Sequence, residues 1–231
     1  TVRDEDSYQS LLNLGIKSSL LHLTADPSVI LKVSPWEGQK ILSLEGIPSG
    51  KPLLGISVRS IPGRPDLEKK IFEVLAKVVD YLEENYNYQP VFLPFECPED
   101  LGEAKKVMDL MKGNPKIIFR ICRPSEMLAV ISQMDLLIGM RLHSLIFAAK
   151  SKVAFLGISY DPKVKAFAKT FGLPFLEVEP EFNFETIREK IAKIICEKDS
   201  IKELLASKMD IIYHLAEENF ELLAKLIALE K

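Results

Sequence analysis

At about 150 residues per domain, the 231 residues of this chain suffice for one full domain and an appendage. Hydrophobic residues make up 47% and charged residues 27%, values that exclude disordered, collagen-like and fibrous chains. With 30 Lys and Arg against 33 Asp and Glu, the net charge is -3. That gives no global attraction to nucleic acid or anionic lipid, so an anionic ligand must be held locally.

From the amino end, an amphipathic stretch over residues 5–14 predicts a helix, and the apolar run 19–23 predicts a first strand. Residues 32–52 hold three Pro and three Gly among short fragments, which predicts an irregular connection. Short Val-, Ile- and Leu-rich runs follow at 52–58, 90–95, 116–121, 135–138, 152–157 and 175–178. Between them, helical patterns cover 66–85, 98–111, 125–133, 141–149, 162–171 and 184–196. Apolar strands alternating with helices predict an α/β, doubly wound parallel sheet covered on both faces. Residues 200–231 repeat Leu, Ile, Ala and Met at helical spacing and predict one or two packing helices. The expected division is therefore a Rossmann-like domain over 1–199 and a helical extension over 200–231.

Cys97, Cys122 and Cys196 form no Cys-x-x-Cys pair and have no neighbouring His. Neither a zinc site nor a disulfide framework is expected, and a reducing cytoplasm fits best. No run approaches the ~18 apolar residues of a membrane span. The opening Thr1-Val2-Arg3-Asp4 lacks a basic region followed by an apolar one, so no signal peptide is expected.

In an open parallel sheet, ligands bind beyond the carboxyl ends of the strands, where helix N-termini favour anions. A Lys or Arg in a first helical turn opposes the helix dipole by roughly 0.3–1 kcal/mol unless an anion joins it. Three places carry such cations. In Gly139-Met140-Arg141-Leu142-His143-Ser144, Gly139 would allow close backbone approach, Arg141 offers a bidentate fork, and His143 can donate a hydrogen bond or move a proton. In Tyr160-Asp161-Pro162-Lys163, Asp161 suits an N-cap, Pro162 the first helical position, and Lys163 the first turn. In Arg3-Asp4-Glu5-Asp6, Arg3 immediately precedes a helix start. Arg59 and Asp26 also follow strand ends, as an anion or sugar contact and a hydroxyl acceptor respectively. For Arg141 and His143 the residues alone leave a surface arginine and a satisfied histidine as an equal reading, and for Lys163, Arg3, Arg59 and Asp26 a surface charge or turn former is the stronger one. His22 and His214 lie in apolar patterns and read as structural. No dinucleotide fingerprint, Walker loop or nucleophile elbow occurs. No cofactor and no metal is expected.

The run Gly139-Met140-Arg141-Leu142-His143-Ser144-Leu145-Ile146-Phe147-Ala148-Ala149 with Gly157-Ile158-Ser159-Tyr160-Asp161-Pro162-Lys163-Val164 resembles the polysaccharide pyruvyl transferase family. Arg3-Asp4 with Ser7, Thr24-Ala25-Asp26-Pro27, Gly55-Ile56-Ser57-Val58-Arg59 and Phe92-Leu93-Pro94-Phe95 support it, together covering most of residues 1–180. The resemblance implies the C-terminal, donor-binding half of a glycosyltransferase-B-like fold, with an N-terminal domain preceding it in the whole protein. It implies transfer of the enolpyruvyl group of phosphoenolpyruvate to a sugar, closest to N-acetylmannosamine of a secondary cell wall polymer. The product would be a cyclic ketal of the kind that anchors surface layers. It places Arg3, Arg141 and Lys163 on the donor, His143 in catalysis, and Leu142 and Ser144 with Gly139, Asp26 and Arg59 as further contacts. A lipid-linked acceptor, and so an encounter with the inner membrane face, follows from the resemblance only; nucleic acid is not an expected partner. Two other readings stay open, a nucleotide-sugar glycosyltransferase or epimerase half and a non-catalytic binding domain, because one architecture serves all of them.

Overall fold

The computed structural model describes residues 1–160, 162–178 and 182–229. The expected Asp161 cap lies outside them. Asp4 opens helix α1 (Glu5–Asn13) by accepting the Ser7 N–H at 2.8 Å. Two short 3-10 turns, Ser18–Leu20 and Pro27–Ile30, lead to α2 (Pro35–Leu44). The alternation then runs β1 (Leu53–Ser57), α3 (Pro65–Tyr86), β2 (Gln89–Phe92), α4 (Glu99–Met108), β3 (Lys116–Ile117) and α5 (Pro124–Ile131). It continues through β4 (Leu136–Gly139), α6 (Leu142–Lys150), β5 (Phe155–Ser159), α7 (Pro162–Phe171), β6 (Phe175–Glu177), α8 (Phe184–Cys196) and α9 (Lys198–Leu229).

All six strands are parallel, in the order β3-β2-β1-β4-β5-β6. Every residue of β1, β2, β4 and β5 is buried, as expected of strands with helices on both faces. This is the α/β Rossmann-like fold predicted. The order reverses between β1 and β4, which sit side by side with Ser57 opposite Gly139. A parallel sheet opens a crevice at such a switch point.

Two expectations are corrected. The run 19–23 is not a strand: it contributes the 3-10 turn and one isolated bridge, Val2 to Leu23. A five-residue run with three leucines and no neighbouring strand has nothing to pair with. Residues 32–52 are not an irregular connection either, since α2 occupies their centre. Its Gly38 looks like turn punctuation, yet an added Cβ there would lie 2.0 Å from the Ala129 carbonyl oxygen. Gly38 is the point at which α2 lies backbone to backbone on α5.

The carboxyl-terminal segment is one helix, α9, starting two residues before the predicted boundary at 200. Ile201, Leu205, Met209 and Ala216 are buried, on the face that packs against α6, α7, α8 and the Pro27–Ile30 turn. No helix among the described residues is long and apolar enough to cross a membrane.

Candidate functional site

Strands β4 and β5 each lead within three residues into a helix, α6 and α7. Those helix N-termini, with free N–H groups and the positive ends of their dipoles, face the carboxyl edge of the sheet. A cleft of about 400 Å³ opens there, lined by Arg3, Arg59, Glu96, Arg141, His143, Tyr160 and Lys163 among others. Residues far apart in sequence are brought together by the crossover topology.

Arg3 is held from both sides. Val2 donates to the His22 carbonyl at 2.9 Å and accepts from Thr24 N–H at 2.8 Å, while Asp4 is committed to the α1 cap. The Arg3 guanidinium then donates to Asp26 Oδ2 at 2.8 Å. Asp26 also caps the Pro27–Ile30 turn through Ser28 N–H at 3.0 Å, and its carboxylate lies 3.6 Å from His143 Nε2. Burial alone would raise the Asp26 carboxyl, but His143, Ser28 and Arg3 outweigh it and hold the group well below the usual aspartate value of 3.8. Asp26 is thus an ionised bridge between Arg3 and His143, and it forms the turn as well.

Arg141 and His143 line one cleft but turn to opposite sides of it. Arg141 is the N-cap of α6, in extended conformation, rather than a first-turn residue. Its guanidinium donates to Asp100 through Nε at 3.1 Å and through Nη2 at 2.5 Å. Its Nη1 lies 2.7 Å from Glu96. Burial alone lowers the basicity of Arg141, yet the two carboxylates push its pKa up. The Asp100 side chain is 1% exposed and also accepts the backbone N–H groups of Phe95 and Glu96 at 3.0 and 3.1 Å. Asp100 therefore ties the α6 cap to the loop after β2. His143, in the first turn of α6, has its side chain 49% exposed, on the Asp26 side.

Lys163 stands in the first turn of α7 and borders both the cleft and an adjoining groove of about 560 Å³ that runs past Arg3, Asp26 and Leu142. Leu142, one of the contacts implied by the resemblance, is half-buried and lines both spaces. Arg59 follows β1, its guanidinium carbon 5.1 Å from the centre of the Tyr160 ring. Gly139 and Ser144 serve packing instead. A Cβ on Gly139 would lie 2.4 Å from Ser144 Oγ and 2.7 Å from Leu145 Cδ2, so glycine there lets α6 approach β4 rather than a ligand approach the backbone. Ser144 is fully buried, and its hydroxyl donates to the Arg141 carbonyl at 2.6 Å. His22 and His214 are exposed, not packed in the core.

Sequence reasoning missed Glu96, Asp100 and Tyr160 as parts of this edge. Asp100 lies in the first turn of α4, where an acidic residue passes for an ordinary dipole partner; only its burial reveals the pairing. Among the described residues, no group of three His, Cys, Asp or Glu could hold a metal ion.

The fold resembles solved structures at low sequence identity. UDP-GlcNAc 2-epimerase from Neisseria meningitidis superposes with a TM-score of 0.67 at 15% identity, over 96% of this chain and 60% of that one. A glycosyltransferase from Rickettsia africae gives 0.62 at 14%, over 97% and 62%. UDP-GlcNAc 2-epimerase from Methanocaldococcus jannaschii gives 0.59 at 15%, over 84% and 53%. The chain thus spans little more than half the length of these proteins, and the likeness is one of fold. No curated protein matches the sequence. The family model for polysaccharide pyruvyl transferases, however, matches residues 1–162, a span that contains β1 to β5 and, except for Lys163, every cleft residue described above. The chain belongs to the polysaccharide pyruvyl transferase family.

Proposed function

We propose that the chain is the donor-binding part of an enzyme that moves the enolpyruvyl group of phosphoenolpyruvate to a sugar diol, forming a cyclic pyruvate ketal and releasing phosphate. The observation that carries this reading is the gathering of Arg3, His143 and Lys163 around one cleft at the N-termini of α6 and α7. Two helix N-termini and three side chains able to carry positive charge suit a small polyanion.

In the reaction, one sugar hydroxyl adds to the enol carbon while the methylene takes a proton, giving a methyl group. Phosphate then departs with the C–O electron pair, and the second hydroxyl closes the ring and releases its proton. Arg3 and Lys163 stabilise the charge that develops on the departing phosphate. His143 delivers the proton to the methylene or collects one from the attacking hydroxyl. Asp26 is the positioning residue for both: it fixes the Arg3 fork and faces His143 Nε2 at 3.6 Å. Arg141, already engaged by Asp100 and Glu96, sets the start of α6 and adds positive potential at the cleft.

The acceptor in this reading is N-acetylmannosamine of a lipid-linked cell wall polymer. An N-terminal domain of the whole protein would complete the cleft, and the encounter would take place on the cytoplasmic face of the membrane. The first test is calorimetric titration of this chain with phosphoenolpyruvate, beside Arg3→Ala and Lys163→Ala and with uridine diphosphate as control. Binding of phosphoenolpyruvate that both variants lose supports the reading; saturable binding of the uridine nucleotide with none of phosphoenolpyruvate overturns it. In the full-length protein, His143→Ala should abolish turnover while weakening donor binding only in part, and unchanged turnover would remove His143 from the mechanism.

A further inference from the structure

The cations at the cleft are not equivalent. Arg3 is paired with Asp26, and Arg141 with Asp100 and Glu96. Arg59 has no carboxylate partner among the described residues. It is half-buried, with its guanidinium over the Tyr160 ring, and its Nε is shielded from solvent and meets no acceptor among them. Two residues earlier, Ser57 is 1% exposed, and its hydroxyl is also without a partner. A guanidinium held over a ring, half out of water and unpaired, is costly unless an anion completes it. It is also preorganised, because the ring restrains where the guanidinium lies.

We propose that Arg59, steadied by Tyr160, is the carboxylate-binding residue of this cleft, taking the carboxylate of the donor as a bidentate pair. The inference rests on the donor reading above and adds the division of labour between the donor's two anionic groups. Phosphate is tetrahedral and carries up to two charges, so it belongs where α6 and α7 converge with Arg3, His143 and Lys163. Arg59 is not itself at a helix start: β1 is followed by the loop 58–64 before α3 begins. Its planar fork matches a planar, singly charged group.

The test is an NMR titration of the whole chain, which reads millimolar binding and shows in the same spectra that each variant is folded. The probes are pyruvate, which carries the carboxylate alone, inorganic phosphate, and phosphoenolpyruvate. Arg59→Lys keeps the charge but loses the fork and the stack, and should weaken pyruvate and phosphoenolpyruvate by about tenfold or more while changing phosphate by less than about twofold. Tyr160→Leu should weaken the same two by about threefold, in line with the loss of one cation–π contact. Weakened phosphate with unchanged pyruvate would make Arg59 a phosphate ligand and overturn the assignment, as would three unchanged affinities. If pyruvate binds and Arg59→Lys loses it, yet phosphoenolpyruvate binds no more tightly than pyruvate, the donor reading falls and the carboxylate assignment stands. If the unaltered chain binds none of the three, both fall.

Discussion

Arg59 and Arg141 follow the ends of adjacent strands, β1 and β4, and line the same cleft, but their surroundings are opposite. Arg141 is held by a buried aspartate on α4 and by a second carboxylate in the loop after β2. Arg59 rests on an aromatic ring with no carboxylate partner among the described residues. An arginine whose fork is filled from within the protein contributes to the fold, whereas one left unfilled keeps its hydrogen-bonding capacity for something that arrives. Proximity to a cleft therefore does not distinguish a ligand-binding residue from a framework residue; how much of the fork is already taken does. Arg3 donates one hydrogen bond, to Asp26, whereas Arg141 has engaged Nε, Nη1 and Nη2.

The comparison breaks first at Asp100. Asp100→Ala should leave the Arg141 charge half-buried and two backbone donors unsatisfied, costing about 3–5 kcal/mol in urea unfolding. A loss below about 1 kcal/mol would mean that this corner is not structural. Arg141→Ala removes the fork but leaves Asp100 its two backbone N–H bonds, so the expected cost is smaller, about 2–3 kcal/mol. Arg59→Ala, at the other pole, gives up one cation–π contact but relieves an unpaired, half-buried charge, and should change stability by no more than about 0.5 kcal/mol. If Arg59→Ala destabilised as much as Arg141→Ala, the distinction between the two would be lost.

Asp26 sharpens the comparison through pH. Its folded-state pKa lies below the unfolded value of 3.8, so the folded protein binds fewer protons at this carboxyl than the unfolded chain does. Its contribution is therefore complete above the unfolded value and is lost as the pH falls through the folded one. Asp26→Asn should reduce the slope of stability against pH below about pH 4 and lower the plateau near neutrality. Denaturant midpoints across pH 3–7 would check this, and an unaltered acid slope would show that Arg3 and His143 do not stabilise the carboxylate.

Much of the framework was legible because its causes are local. Helices α7 and α8 start and stop where their periodicity does, and β4 ends at a glycine that leads into a helix. The cations at the carboxyl edge were legible for the same reason, since a positive charge at a helix start runs against the dipole wherever it occurs. Helix α2 was hidden because Gly38 serves a contact with α5, 91 residues away at Ala129, and its composition reads as a turn. The Asp100 to Arg141 pairing spans 41 residues, and nothing at either position announces it. Tyr160 stood in plain view in the sequence, but its use as a platform for Arg59 exists only once β1 and β5 lie on one sheet edge.

One contact sets the order in which this edge can assemble. Asn219 on α9 donates to the Ala25 carbonyl at 3.0 Å and accepts from the Thr24 hydroxyl at 3.0 Å, fastening the loop that carries Asp26. During synthesis from the amino end, that fastening must wait until residue 219 has emerged, long after the sheet strands are available. Every strand of the sheet has therefore been made before the residue that clasps the Asp26 loop is available.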